Sequence, residues 1–169
     1  AVSQSIRVAG DDMDQSIIAF MRRKYDLMIG QQTAEDIKIK IGSIAPMEPE
    51  MGLEVRGRDL VGGLPRKCNV TSQEIREALM EPVTQIVESV RRTLESVEPE
   101  LAADLVENGI HLAGGGALLR GLDKIIGAAT GLDVRVVDDP LTCVARGTSV
   151  YLENLRDWKD TMESDVDDF

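Results

Sequence analysis

The chain has 169 residues and a formal net charge of −11, with 43% hydrophobic but only 3% aromatic residues. That length supports a hydrophobic core in one domain or two small lobes, and the acidic balance excludes nonspecific nucleic-acid binding, which needs clustered Lys and Arg. No apolar run nears the roughly 20 residues that span a bilayer. The alternating N-terminus does not read as a secretion signal. Cys68 and Cys143 fit no CxxC or zinc spacing, so two free thiols in a reducing cytoplasm are expected.

The first residues, VSQSIRVAG, alternate as a strand does. Asp11 then reads as the N-cap of a helix carrying Met13, Ile17, Phe20 and Met21 on one face, with Gly30 as its stop. The basic cluster Arg22-Arg23-Lys24 suits the surface of that helix near its C-terminus. Thr33, with Asp36 in the capping-box position, predicts a second helix ending at Gly42. MGLEV and RKCNV, with Gly and Pro between them, read as two strands joined as a hairpin. Thr71 and Glu74 form a further capping box, opening a helix that Pro82 is expected to kink or restart. Beyond it Val83, Ile86, Val87, Val90, Leu94 and Val97 make one apolar stripe, and Pro99 starts a short helix that ends at Gly109.

From there the pattern changes. Residues 110–113 (IHLA) read as a buried strand, 117–130 as a helix with Leu118, Leu122, Ile125, Ile126 and Ala129 on one face, and 133–137 (DVRVV) as a second strand. Asp139-Pro140 caps a last helix through Leu155. Strand, helix, strand, helix with short connections implies an α/β layer with parallel strands. His111 is expected to be a core residue without a catalytic role. After residue 156 the chain turns acidic: Asp157, Asp160, Glu163, Asp165, Asp167 and Asp168 stand against Lys159, and a solvated, disordered tail is expected over 156–169.

Gly114, Gly115 and Gly116 lie where an α/β layer binds ligands, at the carboxyl end of a strand. Neither standard phosphate motif fits. A dinucleotide fingerprint needs glycine where Leu119 stands, and a Walker A loop needs Lys-Ser/Thr where Leu122-Asp123 follows Gly121. Two readings stay open: a tight turn, or a bare backbone surface against which a nucleoside or phosphate can lie.

GGGALLRGLDKIIGAATGL followed by DDPLTCVARGT resembles the adenosine-binding region of the MreB family, the bacterial actin homologues. IRVAGDDMD, TAEDIKIKIG, LEVRGRDLVGGLPR and SQEIREALMEPV resemble segments of the same family in the same order, so the likeness covers the C-terminal half of that family up to about residue 155. It implies the second domain of an actin-like ATPase fold. Residues 1–10 and 88–155 would form an α/β subdomain, and 11–87 a smaller inserted α+β subdomain. It also implies ATP with Mg²⁺ as cofactor, bound when two such domains close over it, and self-assembly into filaments that determine cell shape. Implied partners are an N-terminal actin-like domain and cell-shape proteins at the inner membrane face, with the filaments cytoplasmic and membrane-associated.

Carried over by position, Gly114, Gly115, Gly116 and Ala117 match the family's adenosine loop. Glu35 and Lys38, with Asp36 and Ile37 between them, match the helix that flanks adenine and ribose. Spacing of three puts Glu35 and Lys38 on one helix face, as an exposed ion pair or as a binding pair. The family commonly has Thr where Ala113 stands and an aliphatic residue at His111. No catalytic or metal-ligating residue is assigned, and the chain by itself is expected not to hydrolyse ATP. The alternatives are a domain of another ATPase of the superfamily, of heat-shock chaperone or sugar-kinase type, or an interaction module without nucleotide.

Overall fold

The computed structural model describes residues 2–154; the acidic segment 156–169, Trp158 and Leu155 lie outside the described residues. The elements run α1 (Gly10–Tyr25), β1 (Leu27–Met28), α2 (Gln31–Ile41), β2 (Gly52–Asp59), β3 (Pro65–Thr71), α3 (Ser72–Glu95), α4 (Pro99–Asn108), β4 (Ile110–Leu112), α5 (Leu122–Thr130), β5 (Val134–Val136) and α6 (Cys143–Glu153). A single 3-10 turn, Gly115–Leu118, separates β4 from α5.

Helix α1 begins two residues earlier than expected, with Ala9 and not Asp11 as its N-cap. The Asp12 carboxylate reaches back to accept from the Ala9 N–H at 2.8 Å, and the Ala9 carbonyl accepts from Asp12 and Met13. The helix stops at Asp26, whose left-handed φ of 48° turns the chain out well before Gly30. Leu27 and Met28 then pair antiparallel with Asp59 and Arg58, and that pairing takes the residues the helical pattern had claimed. Gly30, not Thr33, caps α2, and Asp36 accepts from Gln32 rather than closing a capping box.

The hairpin forms as expected and is longer on both arms. Its register runs from Gly52 opposite Thr71 to Arg58 opposite Pro65, and Leu53, Val55, Cys68 and Val70 face the core. Thr71 and Glu74 complete their reciprocal cap at the start of α3. This helix passes through the buried Pro82 without restarting and ends at Glu95. Residues 2–9 form no strand, although they alternate as one: a strand needs a hydrogen-bonded neighbour, and none of the five strands pairs with them.

One hydrophobic cluster joins α1 (Met13, Ile17, Met21), α2 (Ile37, Ile41), the sheet (Leu27, Val55, Val70) and α3 (Ile75, Leu79, Val83), and extends to Leu119, Leu122 and Ile126 of the following segment. Each such side chain contributes about 1.5–3 kcal/mol by burial. The boundary expected at residue 87 falls inside α3, which packs on both α1 and α5.

Strands β4 and β5 pair in parallel, as the alternation of strands and helices requires. Ile110, Leu112 and Val134 pack against the core cluster, whereas His111 lies opposite Arg135 and both are exposed. The expectation of a core histidine is therefore corrected. Among the described residues only one face of this two-stranded layer is covered, and period-2 alternation puts His111 on the other. The helix expected over 117–130 is also shorter, because Gly121, at φ 85°, caps α5 in the left-handed conformation and leaves 115–118 as a separate turn.

The connection between α2 and β2 is fixed by a carboxylate. Glu50 accepts from the Ser72 hydroxyl, from Arg76 at 2.8 and 3.1 Å and from the Met47 N–H at 3.2 Å. The bonds from Ser72 and Arg76 hold its pKa down at about 2 from the ordinary 4.5. A group depressed on folding stabilises fully above its unfolded pKa and loses that contribution as pH falls toward the folded one. The stability gap between the wild-type chain and Glu50→Gln should therefore be widest above pH 4.5 and close toward pH 2. Chemical denaturation across that range checks it, and a gap independent of pH would show that the carboxylate charge is not what holds the connection.

Candidate functional site

A cleft of about 710 Å³ opens between α2 and the glycine turn. Glu35, Lys38 and Ile39 form one wall, and Gly115, Gly116, Leu118, Leu119 and Arg120 form the other, with Leu141 at its lip. The start of α1, through Ala9, Gly10, Asp11, Met13 and Asp14, forms the floor.

The two walls are held at a fixed spacing by a short backbone joint. Ser43 and Arg120 form an isolated parallel bridge, the Ile44 N–H donates to the Arg120 carbonyl at 2.9 Å, and the Arg120 guanidinium donates to the Gly42 carbonyl at 3.0 Å. The Ser43 hydroxyl, fully buried, donates to the Ala45 carbonyl at 2.7 Å. Gly121 belongs to this joint. A Cβ there would stand 2.6 Å from the Ala45 Cβ, so the segments meet only because residue 121 has none.

The structure brings together four of the eight expected site residues: Glu35, Lys38, Gly115 and Gly116. The other four do not line the cleft. Ile37 is buried in the core and Asp36 bonds to Gln32 on the helix surface. Ala117 is buried beneath the turn, and Gly114 donates its N–H to the Pro140 carbonyl at 2.6 Å, tying the turn to the loop before α6.

Lys38 differs from its expected exposed placement. Its side chain is 16% exposed, and its ammonium lies 2.7 Å from Asp14 Oδ1 and 3.1 Å from the Gly10 carbonyl, which accepts a hydrogen bond. Asp14 is 2% exposed. Its Oδ1 makes no directional hydrogen bond, so the contact is chiefly an ion pair. Glu35 makes no side-chain hydrogen bond or ion pair among the described residues. Asp14 went unremarked in the sequence, yet a signal was there: it stands on the apolar stripe of α1 beside Met13 and Ile17, where an unpaired carboxylate is not tolerated.

Chemically the cleft offers apolar side chains (Met13, Ile39, Leu118, Leu141), four glycine backbones, two of them on the turn, the Lys38 ammonium, the unpaired Glu35 carboxylate, and the charged Asp11 and Arg120. None of its lining residues is Ser, Thr, Cys or His. Among the described residues no group of three or more His, Cys, Asp or Glu is placed to hold a metal ion. Such a cleft suits a flat ring carrying polar groups, which can donate to Glu35 and accept from Lys38 on one wall while the ring lies against the glycines of the other.

The family model described as MreB/Mbl protein matches residues 1–160. The cell shape-determining protein MreB of Escherichia coli K12 is 51% identical over 151 residues, covering 89% of this chain and 44% of the relative. The cell shape-determining protein Mbl of Bacillus cereus is 46% identical over 153 residues, covering 90% and 46%. Among solved structures, MreB 5 of Spiroplasma citri bound to AMPPNP superposes with a TM-score of 0.89 at 38% identity, over 95% of this chain and 48% of that one. The chain thus spans less than half the length of the relatives it matches, and its fold is that of an actin-like domain. No helix among the described residues is long and apolar enough to cross a membrane.

Because Lys38 compensates a buried carboxylate, Lys38→Ala should destabilise the chain by about 3 kcal/mol, the cost of leaving one member of a buried pair alone. Glu35→Ala, one turn away and unpaired, should shift stability by less than about 0.5 kcal/mol. Denaturant unfolding of both variants checks the contrast, and equal losses would mean that the ion pair with Asp14 does not form.

Proposed function

The chain belongs to the MreB/Mbl family, and from that premise we propose that it supplies the adenosine side of the nucleotide cleft in a filament-forming, shape-determining ATPase. In this reading Gly115 and Gly116 carry the nucleoside on bare backbone, with Glu35 and Lys38 on the facing wall. Asp36, Ile37, Gly114 and Ala117 shape those two segments from behind. The α/β subdomain is residues 1–10 and 88–155, and the inserted subdomain is 11–87. ATP with its magnesium is the proposed ligand. The described residues fit its nucleoside part, and magnesium goes with the phosphates. The proposed partners are an N-terminal actin-like domain, further copies in a filament, and cell-shape proteins at the inner membrane face, which places the filaments on the cytoplasmic side. The family match does not favour a chaperone or sugar-kinase domain.

One observation supports the binding role above all. Gly114 needs to be glycine, since its φ is 85°. Gly115 and Gly116 have no such need. Neither adopts positive φ, a Cβ on Gly116 would meet nothing within 4 Å, and one on Gly115 would meet only the flexible end of Leu141 at 3.3 Å. Both face the cleft. Alanine has open room at Gly116 and needs only a small shift of the exposed Leu141 side chain at Gly115, which supports a ligand as the reason for their bareness.

In the natural protein that contains this chain, Gly116→Ala should weaken ATP binding about tenfold or more. Its stability should stay level or rise by about 0.4–1 kcal/mol through the lower entropy of the unfolded state. Gly114→Ala should do the reverse to stability, costing about 1 kcal/mol or more for a side chain held at positive φ. Nucleotide titration with thermal unfolding of both variants separates the cases. Unchanged affinity in Gly116→Ala would leave the turn as the only role of the run and favour an interaction module without nucleotide.

A further inference from the structure

Resting on that reading of the cleft, we propose that Asp14 is a positioning residue that keeps Lys38 away from Glu35, so that both reach the ligand unpaired with each other. Glu35 and Lys38 are three apart on α2, the spacing at which a helical carboxylate and ammonium normally close on one another. They do not. Lys38 turns inward to Asp14 Oδ1 at 2.7 Å and to the Gly10 carbonyl at 3.1 Å, and Glu35 is left with no side-chain partner among the described residues.

The ammonium has three N–H donors. One donates to the Gly10 carbonyl, the charge as a whole is paired with Asp14 Oδ1, and no other described residue accepts from the ammonium, while Lys38 lines the cleft. The wall therefore presents a fixed donor deep in the cleft and a free acceptor at its mouth. Asp14 secures both because it outcompetes Glu35 for the lysine: its side chain is 3% exposed, whereas Glu35 stands in solvent, and a charge interacts more strongly with a partner away from water. Without the Asp14 charge, Lys38 has no buried counter-ion, and the carboxylate on its own face of α2 is Glu35, since Asp36 bonds to Gln32 instead. Donor and acceptor then neutralise each other, and the ligand loses both.

The test is a double-mutant cycle on a fluorescent ATP analogue in the natural protein that contains this chain, using Asp14→Asn, Glu35→Gln and the pair. Asp14→Asn should weaken binding about tenfold and Glu35→Gln about threefold, as expected for charge-assisted hydrogen bonds. Adding Glu35→Gln to Asp14→Asn should cost nothing further, because it removes the rival for the lysine. A purely structural Asp14 would give losses that multiply, and that result, or unchanged affinity in Asp14→Asn, overturns the proposal. Absence of binding by the wild-type protein overturns the cleft reading together with it. If Asp14→Asn does not fold, heteronuclear NMR of the Lys38 ammonium in Glu35→Gln decides. Slow hydrogen exchange and an unmoved signal support Asp14 as the holder, whereas release of the ammonium overturns the proposal.

Discussion

The backbone joint between Ser43 and Arg120 is the constraint on which the cleft depends. It links the end of α2 to the glycine turn through groups 77 residues apart in sequence, with Ser43 buried beneath it. Each of its hydrogen bonds contributes about 0.5–1.5 kcal/mol net, but breaking one leaves a buried polar group unsatisfied at about 1–3 kcal/mol. The asymmetry makes the joint closer to all-or-none than its net energy suggests. Leu119 and Leu122, buried on either side of Arg120, carry it into the main hydrophobic cluster, so the spacing of the two cleft walls follows the core.

The walls differ in how they are supported. α2 is buried along one side through Ala34, Ile37 and Ile41, and Lys38, between two of them, reaches the floor to compensate Asp14. This wall is set by burial and charge together. The glycine turn rests on less: Ala117 below it, Leu119 behind it and the Gly114–Pro140 hydrogen bond at its entrance. α4 and α6 add no buried residue on that side. The wall with fewer buried supports is thus the one whose backbone is bare.

The fold was legible in the sequence where local chemistry and tertiary packing agree. The Thr71–Glu74 cap, the hairpin and the parallel β4–β5 pair are cases of that kind, each with strong local signals that packing had no reason to override. The misreadings share one cause, which is that a local pattern does not show what covers it. The alternation of residues 2–9 reads as a strand but finds no pairing neighbour; His111 reads as core but lies on the uncovered face of its sheet; α1 yields its last turns because Leu27 and Met28 pair with β2. At the site, Glu35, Lys38 and the glycines were visible through resemblance and spacing, but the true partner of Lys38 was not. Asp14 lies 24 positions upstream on another helix, and only the packing of α1 against α2 brings the two charges together.

Three consecutive glycines are costly in regular structure, and the fold assigns the cost unequally. Gly114 supplies a backbone angle that L side chains rarely adopt, so its reason lies within the protein. Further on, Gly121 supplies the absence of a Cβ where two segments touch, again a reason within the protein. Gly115 and Gly116 supply neither. They stand in a 3-10 turn without positive φ, where alanine at Gly116 meets nothing and at Gly115 only the end of Leu141, on the wall opposite a free carboxylate and a pinned ammonium. A run that looks uniform in sequence thus divides into a residue required by the turn and two whose bareness no described residue requires, and that division is the ground for proposing a ligand on this wall.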